Sequence, residues 1–154
     1  MNDFELTEDQ VLDLRRSFMR IVRIFMISER RFPVAGRNAR YSPHDFHTLG
    51  YLAEHKAARA GEIGRFLEIA PTTMTGVIDR MEAADLIERQ PDEADARATR
   101  LTLTETGWAM HASILNQDIL NVSAMLGALE PDEQEVFNEM ITRIANRIES
   151  LNKG

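Results

Sequence analysis

Residues 66–107 read FLEIAPTTMTGVIDRMEAADLIERQPDEADARATRLTLTETG, and a change of period inside this stretch decides the fold. In its first half, Met74, Val77, Ile78 and Met81 recur at helical spacing behind Pro71, so a helix from Pro71 to about Ala84 buries one face. A shorter helical pattern, Glu62 to Phe66 around Ile63 and Leu67, precedes it. About four residues, Glu68 to Pro71, join the two, which is helix-turn-helix spacing. In the second half the period becomes two: Leu101 and Leu103 alternate with Arg100 and Thr102. This segment, Thr99–Leu103, answers Leu86–Arg89 across the turn-rich QPDEADA. Two short strands with a polar tip predict a β-hairpin, the wing of a winged helix-turn-helix.

Working outward, Thr7 and Gln10 form a capping-box pair that starts a helix from about Glu8 to Arg31, ended by Pro33. Val11, Leu14, Phe18, Ile21, Val22 and Phe25 share one face; Arg16, Arg20, Arg23, Arg30 and Arg31 share the other. Residues 33–43 read as a loop. Ser42-Pro43-His44-Asp45 starts a second helix carrying Phe46, Leu49, Leu52 and Ala53. Beyond the hairpin a long helix begins near Thr104, and Pro131 starts a last one with Val136, Phe137, Met140, Ile141, Ile144, Ile148 and Leu151 in one stripe. That stripe needs a partner. The fold class is therefore mainly α with a small β-hairpin. A winged helix-turn-helix lobe over 41–104 is flanked by dimerisation helices over 6–32 and 105–152, within a single chain 1–154.

Composition narrows the function. The 154 residues hold 18 Lys+Arg against 25 Asp+Glu, a net charge of −7, and no cysteine. Disulfides, thiolate metal sites and thiol nucleophiles are thereby excluded. No Gly-rich phosphate loop, nucleophile elbow or His-Glu-x-x-His motif is present, so no enzyme and no cofactor is expected. The acidic start and the lack of an 18-residue apolar run predict a cytoplasmic protein that does not enter a membrane. The acidic total runs against nucleic acid, yet residues 15–40 hold eight arginines and one acid, Glu29.

From about Leu6 to Leu151 the chain resembles the MarR family (multiple antibiotic resistance regulators) of winged-helix transcriptional regulators. The resemblance is most specific over 66–107, through Asp95-Ala96-Arg97 in the wing and Leu103-Thr104-Glu105-Thr106-Gly107 at the next helix start. It implies a homodimer on pseudo-palindromic double-stranded DNA, with recognition helices in major grooves and wings in minor grooves. Carried over, Thr72, Thr73 and Thr75 face DNA, Arg97 enters the minor groove, Asp95 holds Arg97, and Arg80, Arg89 and Arg100 meet phosphates. The chain departs from the family pattern at Gly76, where a long polar residue is frequent, at Ala96, where a second Arg is frequent, and at Asp85, where Gly is usual. The family further implies repression relieved by small anionic or aromatic effectors. Arg20, Arg23, Tyr41, His44, His47 and Trp108 are the candidate pocket, by position and residue type.

Plainer readings stand beside these. The threonines are also ordinary helix surface, Arg97 can pair with Asp92, Glu93 or Asp95, and an arginine-rich helix face is most often solvated. His44, His47 and Asp45 with His111 make no dense ligand cluster, so no metal is expected. The alternative function is a dimeric winged-helix module that binds protein without an operator.

Overall fold

A computed structural model of the chain describes residues 5–29, 41–92 and 95–152, with the side chains of 25–29, 95–97 and 152 outside the description. The elements are α1 (Glu8–Glu29), α2 (Pro43–His55), β1 (Ala57–Ala58), α3 (Ala60–Phe66), α4 (Pro71–Ala83), β2 (Ile87–Asp92), β3 (Asp95–Leu103), α5 (Glu105–Leu126) and α6 (Pro131–Asn152). The chain divides into two compact units, 1–116 and 117–154. The fold class is as expected, mainly α with a small sheet.

α1 opens as its capping box requires: the Thr7 N–H donates to Gln10 Oε1 at 2.9 Å and the Gln10 N–H to Thr7 Oγ1 at 3.3 Å. Its expected end at Arg31 and most of the 33–43 loop lie outside the described residues. Leu14, Phe18, Ile21 and Ile24 on this helix are exposed.

The core of the first unit is built by α2, α3, α4 and the sheet. Leu49, Leu52, Ile63, Val77, Met81 and Leu86 are fully buried, with Met74, Ile78, Ile87, Leu101 and Leu103 beside them. Each large apolar side chain so removed from water stabilises by roughly 1.5–3 kcal/mol. The turn between α3 and α4 is set by Glu68, whose φ of 54° ends α3 in a left-handed cap. The Ile69 N–H then donates to Gly64 O at 3.0 Å and the Glu68 N–H to Arg65 O at 3.2 Å. Asp85 closes α4 in the same manner with φ 59°, the Leu86 N–H reaching Met81 O at 2.9 Å.

Two features differ from the sequence expectation. The sheet has three strands in the order β1-β3-β2, all antiparallel, because the two-residue β1 pairs Ala57 with Thr102 and Ala58 with Leu101. A two-residue strand has no period to read. The hairpin strands also run deeper into QPDEADA than its turn-forming composition suggests, β2 reaching Asp92 and β3 starting at Asp95. Pro91 is tolerated because β2 is an edge strand, where a missing N–H breaks no ladder. Regular pairing holds from Ile87↔Leu103 to Pro91↔Thr99, then slips to Asp92↔Asp95.

In the second unit the end of α5 and α6 are joined by a short turn in which the Gly127 N–H donates to Ser123 O at 2.9 Å. Val136, Met140, Ile141, Ile144 and Ile148 on α6 are all exposed in the single chain.

Candidate nucleic-acid interface

α4 is amphipathic in a way that aims its polar residues outward. Met74, Val77, Ile78 and Met81 hold one face to the core, and this rotation leaves Thr72, Thr73, Thr75 and Asp79 exposed. Pro71 at the first helical position fixes the entry. The Thr75 hydroxyl donates to Pro71 O at 3.0 Å, so toward solvent it offers lone pairs. Gly76 is partly exposed, and a Cβ built there would meet only Arg80 Nη1 at 3.7 Å, so packing does not demand glycine.

The arginines are more constrained than their surface positions suggest. Arg80 Nη2 donates to Asp45 Oδ1 at 2.9 Å, and Asp45 is 0% exposed while Arg80 is 48% exposed. Asp45 also accepts from the Ser42 hydroxyl at 2.9 Å. One carboxylate thus caps α2 and ties it to α4, a role invisible in the sequence because Asp45 reads there only as a first-turn acid. Arg100 Nη2 donates to Ala57 O at 2.7 Å, bridging β3 to β1. Arg89 makes a two-point pair with Glu82, Nε to Oε1 at 2.9 Å and Nη2 to Oε2 at 3.0 Å. The hydrogen bonds to Glu82 hold its guanidinium pKa above the usual arginine value. Each of the three therefore has a structural partner first. The side chains of Asp95 and Arg97 lie outside the described residues.

A family model described as MarR family matches residues 41–99. The HTH-type transcriptional regulator PecS of Dickeya dadantii (strain 3937) is 23% identical, covering 82% of this chain and 78% of its own. The HTH-type transcriptional regulator MhqR of Bacillus subtilis (strain 168) is 26% identical, covering 67% of this chain and 71% of its own. Among solved structures, Streptococcus pneumoniae FabT in complex with DNA has a TM-score of 0.77 at 19% identity, covering 92% of this chain and 99% of its own. The chain is similar to the MarR family over residues 41–99, the helix-turn-helix and most of the hairpin.

The Leu103–Gly107 helix-start motif ends in Gly107, which is buried in the first turn of α5. A Cβ there would collide with the Leu86 carbonyl. Asp85, standing where the family usually has Gly, keeps the left-handed conformation and adds a bond of its own, accepting from the Thr106 hydroxyl at 3.1 Å.

The candidate effector residues are only partly brought together. Tyr41 packs edge-on against Phe46 with ring centroids 6.1 Å apart, and Trp108 lies edge-on to His111 at 6.2 Å. Lys56 Nζ sits 4.9 Å from the centre of the Trp108 ring. A cavity of about 490 Å³ on α1 is lined by Met19, Arg20, Val22 and Arg23. A second of about 480 Å³ lies between α3 and α4, and neither gathers Tyr41, His44, His47 or Trp108. Among the described residues no three His, Asp or Glu side chains converge on a metal position. No described helix is long and apolar enough to cross a membrane.

Proposed function

We propose that this chain is a MarR-family, sequence-specific DNA-binding transcriptional regulator, a repressor acting as a homodimer on a pseudo-palindromic operator and released by a small anionic or aromatic effector. The observation that carries the reading is the orientation of α4. Its apolar face is committed to the core, and Thr72, Thr73, Thr75 and Asp79 face outward from one short helix. A major groove admits such a helix, and hydroxyls there reach base edges or phosphates. The names of PecS and MhqR as transcriptional regulators and the FabT–DNA complex support the same function. The lobe over 41–104 would read DNA, and the helices over 6–32 and 105–152 would form the dimer. Arg97 is the proposed minor-groove residue, held by Asp95 and reading groove shape more than base identity. Arg80 and Arg100 would present to phosphates only the nitrogens left over from their internal bonds.

Phosphate contacts carry the affinity in this reading, so it should fall steeply with salt. Fluorescence anisotropy with the gene's own upstream intergenic duplex and a scrambled duplex, across a salt series, tests this. Selective, salt-dependent binding should weaken by roughly five- to a hundredfold on Arg97→Ala, as expected for loss of one specific contact. Equal weak binding to both duplexes, indifferent to Arg97, would reject the regulator and favour a protein-binding winged helix.

A further inference from the structure

Strand pairing near the outer end of the hairpin is irregular. β2 is joined to the rest of the first unit's sheet only through β3, and β3 in turn meets β1 over just two residue pairs. The regular β2–β3 ladder ends at Pro91↔Thr99, and the register slips before Asp92↔Asp95. The regular register is therefore lost at Asp92.

At this residue a side-chain tie replaces the ladder. Asp92, the last residue of β2, has a side chain only 5% exposed, and its Oδ2 accepts from Arg59 Nε at 2.7 Å. Arg59 is the residue between β1 and α3, and its own N–H donates to Glu62 Oε2 at 2.6 Å in the first turn of α3. The pair therefore crosses from the start of the helix-turn-helix to the free edge strand. Arg100 supports it from β3 through Ala57 O. A buried carboxylate is stable only with such a partner. Bare electrostatics disfavours an acid beside a polyanion, so a buried Asp92 in the stem is better accounted for by its pairing with Arg59 than by a contact with DNA.

We infer that the Arg59–Asp92 ion pair is a positioning clasp. It fixes the wing relative to α3 and α4, so that Arg97 at the tip meets the minor groove while α4 occupies the major groove. This inference rests on the DNA-binding reading for its consequence, but the clasp itself is a property of the protein alone. Arg59 is 46% exposed, and the competing role for it is a direct phosphate contact. The two roles differ in sign. If Arg59 simply meets phosphate, Asp92→Asn removes a negative charge and frees the cation, so binding should tighten. If the pair is a clasp, Asp92→Asn should weaken binding.

The experiment uses the full-length chain as wild type, Asp92→Asn, Arg59→Gln and Arg97→Ala, with circular dichroism and melting to verify folding. Hydrogen exchange without DNA comes first. Amides of residues 87–92 should exchange at least about threefold faster in both clasp variants, with α4 unchanged. Anisotropy on the upstream duplex comes second. Asp92→Asn should weaken binding by roughly five- to tenfold and add little in an Arg97→Ala background, because both changes remove the same wing contact. Unchanged exchange at 87–92 would overturn the clasp, whether or not any duplex is bound. Tighter binding by Asp92→Asn, or an effect fully additive with Arg97→Ala, would overturn its role in placing Arg97. If wild type binds no duplex selectively, the regulator reading fails and the exchange result alone decides the clasp. Should Asp92→Asn unfold, Arg59→Gln carries the same comparison, since its loss must then exceed that of one phosphate contact and vanish with Arg97 absent.

Discussion

Gly107 has no room for even one more carbon: a Cβ there would strike the Leu86 carbonyl, with the Leu103 side chain 3.4 Å away. Gly107→Ala should therefore lower unfolding free energy by about 1–3 kcal/mol, the usual cost of overpacking, measured in denaturant. Asp85 shows the opposite economy. Its left-handed φ is a strain that Gly would relieve, but its carboxylate accepts from Thr106 and its carbonyl from the Thr104 hydroxyl. Asp85→Gly should accordingly be near neutral, whereas Asp85→Ala keeps the strain, loses the carboxylate bond and should cost about 1–2 kcal/mol. A thermal melt of both variants separates the two contributions. Read from sequence, Asp85 signals only tolerance of the left-handed region; the Thr106 bond is visible only once α5 is packed against the end of α4.

At the scale of elements, the joint between α2 and α4 is held by Asp45 and Arg80, and its two halves are unequal. Asp45 is buried and Arg80 is half exposed, so loss of Arg80 leaves a desolvated carboxylate while loss of the Asp45 charge leaves a cation that water can reach. Arg80→Ala should destabilise by roughly 3 kcal/mol or more, and Asp45→Asn by clearly less. Equal losses in chemical denaturation would contradict that asymmetry. Helix positions were readable from periodicity and capping at α1, α2, α4 and α6, since each has a proline, a capping box or an apolar stripe, whereas α5 was placed by the chain that follows the hairpin and the Leu103–Gly107 motif. The β1 strand and the depth of the hairpin were not, because two residues carry no period and an edge strand accepts a proline that composition alone assigns to a turn.

For the whole molecule, the exposed apolar residues are concentrated on the terminal helices. Leu14 and Phe18 on α1 and Ile144 and Ile148 on α6 all stand more than half exposed in one chain, a burden that monomers rarely carry. A second copy is the occupant proposed for them. Ile144→Glu with Ile148→Glu should shift sedimentation from dimer to monomer, and DNA affinity should fall at least tenfold because one lobe cannot span two half-sites. A wild-type protein that sediments as a monomer at micromolar concentration would contradict the dimer.

The sequence by itself determined the helical elements, the helix-turn-helix spacing, the hairpin and the apolar faces, because period and capping are local properties of a chain. It also carried the resemblance to the MarR family, through motifs in order over 66–107. Tertiary structure alone decided what the charged residues do. Arg80, Arg89 and Arg100 read along the chain as phosphate contacts, but each finds a partner within the protein, 7 to 43 residues away. Whether a charge faces water, a carboxylate or a backbone carbonyl depends on which elements meet, and no local pattern encodes that meeting.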